Sequence, residues 1–283
     1  MPDFLRADAG IPRHDPDDPS TWVPWVARWY LWDGGYLTIG RSGGVVPPHA
    51  HHAIQITLGI DGEIGFRESE DEPWRHMRGA IVQADVTHSF SGRNCLVAMV
   101  FVDPESREGR WLRQSLREPV TSVPDTRMDR VVPVIRQFDD APLEALEPAE
   151  LVRFMVTSLS AGAPPSRPLD ARVARAIEFM RGAETPRLSL EDVADTVFLS
   201  PSRFAHLFAE SVGLPFRRYL LWRKLSRAML AVGRGASLSQ AAHEGGFADS
   251  AHMTRTFIQM WGLPPSLLMK GEFFEVAAPF ELG

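Results

Sequence analysis

The sequence predicts an α+β chain: a β-barrel or sandwich, a helical connector, and an all-α second half built from two helix-turn-helix units. Three observations carry this. Short apolar runs broken by Gly-rich turns fill the first hundred residues. From Pro104 the apolar residues recur at helical spacing. In the second half, one pattern of caps, apolar stripes and Gly-Leu-Pro turns occurs twice at an offset of 49 residues.

The β runs are Tyr36-Leu-Thr-Ile39, Ile54 to Leu58, Glu63 to Phe66, Ala80 to Gln83 and Cys95 to Val102. Gly34-Gly35, Gly43-Gly44, Gly59-Ile-Asp-Gly62 and Ser91-Gly-Arg-Asn94 separate them. An aromatic cluster precedes them, Trp22, Trp25, Trp29, Tyr30 and Trp32, and is expected to pack over the barrel. Three helices follow, marked by Trp111, Leu112 and Leu116, by Val131, Val134, Ile135 and Phe138, and by Leu151, Val152, Met155, Val156 and Leu159. Their apolar faces are expected to pack on the barrel or on a second copy of the chain, and a homodimer is favoured. Ala161-Gly-Ala-Pro-Pro-Ser-Arg-Pro168 then reads as a linker. The expected domains are therefore 1–103, 104–160, the linker 161–168, and 169–283.

With 283 residues, 44% of them hydrophobic and 23% charged, the chain has material for two cores and is not disordered. No apolar run approaches the roughly 18 residues a membrane helix needs, so no membrane partner is expected. Met1 to Asp18 lacks the apolar core of a signal peptide. The single cysteine, Cys95, excludes an internal disulfide and fits the cytoplasm. The net charge of −6 hides an asymmetry: residues 1–167 hold 17 basic and 24 acidic residues, whereas Arg187 to Lys270 holds 10 basic and 6 acidic. A nucleic-acid partner is thereby permitted for the second half alone.

In the second half, Val173, Ile177 and Met180 mark a first helix. Ser189-Leu-Glu-Asp192 is a capping-box start, and Ser200-Pro201 pairs an N-cap serine with proline at the first helical position. Phe204, Leu207, Phe208 and Val212 form the next stripe, and a longer helix runs from about Pro215 to Val232. Phe204-Ala-His-Leu-Phe208 aligns with Met253-Thr-Arg-Thr-Phe257, and Gly213-Leu-Pro215 with Gly262-Leu-Pro264. Upstream, Ser189, Leu190 and Ala194 align with Ser237, Leu238 and Ala242 at an offset of 48, so one extra residue sits in the second turn. Ser-rich N-caps offer backbone N–H groups to phosphates. The second helix of each unit then offers its polar face to base edges in a major groove of double-stranded DNA. With the N-cap Ser200, that face is Ser202, Arg203, Ala205 and His206 in the first copy, and Ser250, Ala251, His252, Thr254 and Arg255 in the second. Arg255 can hydrogen-bond guanine O6 and N7 together, and His206 holds the equivalent place.

Leu188 to Lys270 resembles the DNA-binding domain of AraC-type transcription regulators. The resemblance rests on Ser200-Pro-Ser-Arg-Phe204, Phe208, Gly213, Gly245-Gly-Phe247, Arg255, Phe257 and Gly262-Leu-Pro-Pro265. It implies two reading helices in successive major grooves, with RNA polymerase as a further partner. Phe198, in a turn position suited to a small residue, and Leu268, where the family often has Tyr, depart from the pattern.

His49, His51 and His52 cluster in the first half. Gly43-x5-His49-x-His51-x3-Gln55-x6-Gly62 resembles the first cupin motif, with Gln55 where cupin enzymes usually carry Glu. Extended backbone would put His49, His51 and Gln55 on one face and Ile54, Ile56 and Leu58 on the other. By the same resemblance His88 is the histidine of a second motif, in which Gln83 replaces Pro and Asp85 replaces Gly. Three imidazoles and an amide oxygen suit a divalent transition metal; without metal, the same groups line a polar pocket for a small-molecule effector. No catalytic triad, P-loop or dinucleotide fingerprint occurs. The expectation is a non-enzymatic, effector-responsive transcription regulator. The alternatives are a cupin-type metalloenzyme with a helical appendage and a binding module that needs a partner for DNA.

Overall fold

The computed structural model describes residues 26–42, 44–140, 147–162, 168–183, 188–268 and 273–275. Trp22, Trp25, Arg187, Lys270 and most of the expected linker lie outside them. In the first half the strands are β1 (Val26–Trp32), β2 (Gly35–Arg41), β3 (Val45–His49), β4 (Ile54–Gly59), β5 (Ile64–Arg67), β6 (Arg75–Met77), β7 (Gly79–Val82), β8 (His88–Ser91) and β9 (Leu96–Val102). The connector follows as α1 (Arg107–Ser115), β10 (Val120–Ser122), α2 (Asp125–Asp140) and α3 (Pro148–Leu159). The second half comprises α4 (Ala171–Gly182), α5 (Leu190–Asp195), α6 (Pro201–Val212), α7 (Phe216–Gly233), α8 (Leu238–Glu244), α9 (Ser250–Trp261), α10 (Pro265–Leu268) and a short β11 (Phe273–Glu275).

Two sheets form, ordered β10-β7-β4-β9-β2-β1-β11 and β3-β8-β5-β6. All pairings are antiparallel except β1 with β11. The five expected runs appear as β2, β4, β5, β7 and β9. The aromatic segment does not lie over the barrel: Trp29, Tyr30 and Trp32 belong to β1, inside the larger sheet. Aromatic side chains favour a pleated, half-buried surface, and Asp33-Gly34 turns β1 into β2 as a two-residue hairpin.

The three connector helices form as expected. Most of their apolar faces are spent on the β domain: Met128, Val131, Ile135 and Phe138 of α2 and Leu151, Val152, Met155 and Val156 of α3 are buried with Ile54, Ile56 and Leu58 of β4, while Trp111, Val134 and Phe154 are half-buried.

The core does not follow the expected domain boundary. One cluster gathers α4, α5, α6 and the start of α7, through Val173, Ile177, Phe204, Phe208 and Tyr219. The larger cluster runs from the sheets into the rest of α7 and the second helix-turn-helix unit, through Trp222, Met229, Ala242, Phe247, Met253 and Phe257. The second unit is thus built onto the β domain, and the first stands on its own core.

The two units repeat in hydrogen-bond detail. Leu199 N–H donates to Ala194 O, and Phe247 N–H donates to Ala242 O. The capping serine follows Leu199 directly, whereas Ala248 intervenes before the cap of α9, which identifies the extra residue. At the turn, Phe198 has φ +57° and is 90% exposed, while its counterpart Gly246 has φ +76°. Left-handed backbone costs a residue with a Cβ about 1–2 kcal/mol, partly offset by glycine's freedom in the unfolded chain. Phe198→Gly is therefore expected to raise stability by about 0.5–1 kcal/mol in denaturant unfolding.

Candidate functional site

Two faces of the second half are available to a ligand from outside. On α6, Ser202, Arg203 and His206 are exposed, with Ala205 half-buried. His206 Nδ1 bonds the Ser202 carbonyl at 3.0 Å, which leaves Nε2 pointing outward. On α9, Ala251, His252 and Arg255 are exposed, with Ser250 and Thr254 half-buried. The caps differ. Ser200 caps α6, its Oγ accepting from Arg203 N–H. The cap of α9 is Asp249, whose carboxylate accepts from His252 N–H at 2.6 Å, and Ser250 is only the first helical residue. Unlike the Ser200 hydroxyl, the carboxylate at the α9 cap repels phosphate.

The second site lies between the sheets. His49 closes β3 and pairs in register with His88 of β8. After Pro47-Pro48 and a register shift, the chain bends through residues 50–53 to reach β4 in the other sheet. His51 sits in that bend and Gln55 in β4. One extended strand therefore does not align the three, although they do converge, and His88 joins them. His49, His51, Gln55 and His88 are all buried. Burial, together with the neighbouring rings, lowers the His49 pKa to about 3 and holds His88 well below its ordinary value. Burial also lowers that of His51.

Each ring is fixed by its Nδ1, which bonds Pro47 O in His49, Ala53 O in His51 and Val86 O in His88, all at 2.9 Å. The neutral rings thus donate from Nδ1 and turn Nε2 lone pairs inward. Gln55 Oε1 lies 3.0 Å from His51 Nε2 and 3.1 Å from His88 Nε2, while its amide nitrogen donates to Thr57 Oγ1 at 2.8 Å. Three acceptors facing one another need either a cation or an exchange of the amide N and O, after which the NH2 would donate to both rings. The donor set fits a divalent transition metal: the three histidines offer ligand atoms within 4.8 Å of one another, with Nδ1 anchored on carbonyls.

Next to this apex is a cavity of about 50 Å³, lined by aromatic side chains of both sheets, by Thr38 and Met99, and by Phe257, Trp261 and Leu263 from the second unit. The Trp261 indole stacks on the His51 ring, with centroids 5.2 Å apart and planes at 29°. The pocket is therefore shared between the β domain and the second helix-turn-helix unit. The sequence reading missed Trp261, Tyr36 and Phe101, because nothing in their spacing shows that α9 ends against β3. His52, the third histidine of the run, points away from the cluster to Asp85 at 3.0 Å and Glu105 at 3.3 Å. Burial opposes the charge on His52, but the two carboxylates outweigh it and raise its pKa to about 9. Asp85, at odds with the second cupin motif, thus has a structural partner.

A β domain whose core runs into one of two capped helix-turn-helix units defines a double helix-turn-helix protein with a built-in pocket domain. Residues 193–271 match a family described as a helix-turn-helix domain. The transcriptional activator RhrA of Rhizobium meliloti is 38% identical over 85 residues, 29% of this chain and 27% of that protein. The regulatory protein PocR of Salmonella typhimurium is 28% identical over 99 residues, 35% of this chain and 33% of that protein. The similarity spans about a third or less of either relative. ToxT of Vibrio cholerae shares the fold over 87% of this chain and 98% of its own, with a TM-score of 0.52 at 13% identity. A ToxT structure bound to (E)-4-(8-methylnaphthalen-1-yl)but-3-enoic acid gives a TM-score of 0.54 at 12% identity. Residues 193–271 are thus a helix-turn-helix domain similar to those of these two regulators.

Proposed function

We propose that the chain is a sequence-specific DNA-binding transcription regulator whose hold on DNA is set by a small molecule in the pocket between its β domain and second helix-turn-helix unit. One observation carries this reading: the helix that presents Arg255 outward ends, at Trp261, in the wall of that pocket. Ligand and DNA thus contact one rigid element, as coupling between two sites requires. ToxT, which shares this architecture, binds an organic acid, in keeping with a small-molecule effector here. A metalloenzyme is not favoured, since no carboxylate lines the pocket among the described residues.

Footprinting on DNA upstream of the chain's own gene tests the reading. Two protected major-groove segments per chain, about one helical turn or roughly 34 Å apart, are expected. Protection of one segment only would defeat it. Arg255→Ala is expected to cost about 1–3 kcal/mol of affinity and to relax specificity at one position, measured by titration against operator variants.

The anchored Nδ1 atoms favour a second reading of the apex, in which His49, His51, His88 and Gln55 hold a divalent transition metal. Elemental analysis of the purified protein and of His49→Ala tests it. Metal in the first and none in the second is the expected result on that reading.

A further inference from the structure

Trp261 occupies an unusual place. Its indole packs against His51, Phe101 at 4.9 Å, Tyr36 at 5.2 Å and Trp222 at 5.6 Å between ring centroids. Yet the indole N–H is buried with no acceptor among the described residues. A donor buried that way costs about 1–3 kcal/mol, so the ring sits there less favourably than its contacts alone would give. Trp261 and Tyr36 also line a second cavity, of about 20 Å³, whose far wall is Trp222, Leu225 and Met229 of α7. The indole and the Tyr36 ring therefore separate the two cavities, and moving the indole opens one toward the other.

The chemistry of the walls limits what could take its place. Among the described residues, no Lys, Arg, Asp or Glu lines either cavity. A carboxylate or ammonium group would be buried there without a side-chain counter-charge, which costs several kcal/mol. The face of the His51 ring suits a flat π-system. Thr38 Oγ1, fully buried in the first cavity and without a partner among the described residues, offers a hydroxyl to a ligand oxygen.

We propose that the Trp261 indole is an internal stand-in for the effector: a neutral, planar aromatic molecule displaces it, lies on the His51 ring across both cavities, and frees the end of α9 from the β domain. This rests on the reading of the chain as a ligand-responsive regulator and names the ligand class and the moving part. Trp261 lies about 9 Å along the helix from Arg255, so its release changes how the second reading helix is held.

Chemical complementation of the full-length chain tests the proposal. Trp261→Ala opens a space the size of an indole, and free indole is the probe. Calorimetry is expected to show indole binding to Trp261→Ala at least about tenfold more tightly than to the wild type, which must first expel its own ring. Hydrogen exchange is expected to show lost protection in the last turn of α9 in the variant, restored by indole. On the wild type, 2-naphthol is expected to bind and to expose the same turn, whereas 2-naphthoate is expected not to bind. Full protection of that turn in Trp261→Ala, no indole binding by it, or equal binding of naphthol and naphthoate would each overturn the proposal. If Trp261→Ala fails to fold, Trp261→Leu keeps the apolar volume without the ring; lost protection is again expected, and retained protection overturns the idea. None of these readouts contains DNA, so a failed footprint and a failed ligand test remain separate results.

Discussion

Asp33→Ala is expected to destabilise the protein by about 3 kcal/mol and to loosen α7 from the β domain. Arg223 is 4% exposed and projects from the middle of α7. Its two terminal nitrogens bond both carboxylate oxygens of Asp33, in the β1–β2 hairpin, one at 2.9 Å. The pair holds each partner charged: burial opposes it on both sides, but Arg223 lowers the Asp33 pKa and Asp33 raises that of Arg223. Truncating one member of a buried pair costs about 3–5 kcal/mol, because the other charge is left without compensation. Two features place this case at the lower end: the Asp33 side chain is 32% exposed, and Asp103 lies close enough to attract the orphaned guanidinium. Denaturant unfolding gives the energy, and hydrogen exchange in α7 gives the location. A double variant, Asp33→Leu with Arg223→Met, is expected to recover most of the loss, since apolar replacement of both partners removes the uncompensated charge. A loss below about 1 kcal/mol for Asp33→Ala would show that the hairpin and α7 are held by apolar packing alone.

Much of this arrangement was legible in local sequence. The capping boxes at Ser189 and Ser237, the proline after Ser200 and the left-handed glycines 213 and 262 are decided within a few residues of themselves. The convergence of His49, His51, Gln55 and His88 was also visible, although for the wrong local reason. Strand parity assumes an unbroken strand, and Pro47-Pro48 with the bend after them breaks it. The illegible part is long-range. Asp103 of the β domain accepts from the Trp222 indole N–H at 2.9 Å across 119 residues, and the ring stack of Trp261 on His51 spans a longer separation still. Charge, hydropathy and period at these positions are those of ordinary surface and helix residues. Only the docking of α7 and α9 makes them part of a pocket, which is why the second helix-turn-helix unit was assigned to a domain whose core it does not share.

Gly262→Ala is expected to cost far more than Gly213→Ala, and the difference should measure how tightly the second reading helix is held to the β domain. The two glycines are repeat equivalents, each ending a reading helix in the left-handed region, at φ +73° and +87°. An L-residue pays about 1–2 kcal/mol for that conformation in either place. Their surroundings differ. A Cβ on Gly213 would meet only the Arg113 guanidinium, at 3.7 Å. A Cβ on Gly262 would lie 2.8 Å from Val46 Cγ1, 3.0 Å from the Pro47 carbonyl and 3.3 Å from His49 Nδ1. The Pro47 carbonyl cannot swing aside, because it accepts the His49 hydrogen bond that orients that ring in the pocket. Overpacking a fitted contact adds about 1–3 kcal/mol to the backbone term. Gly213→Ala should therefore lose about 1–2 kcal/mol and leave the pocket unchanged, whereas Gly262→Ala should lose about 2–5 kcal/mol or else undock α9. Unfolding midpoints separate the energies, and tryptophan fluorescence reports whether Trp261 has left its stack on His51. Equal losses in the two variants, with unaltered fluorescence, would mean that α9 is not seated on β3 in solution.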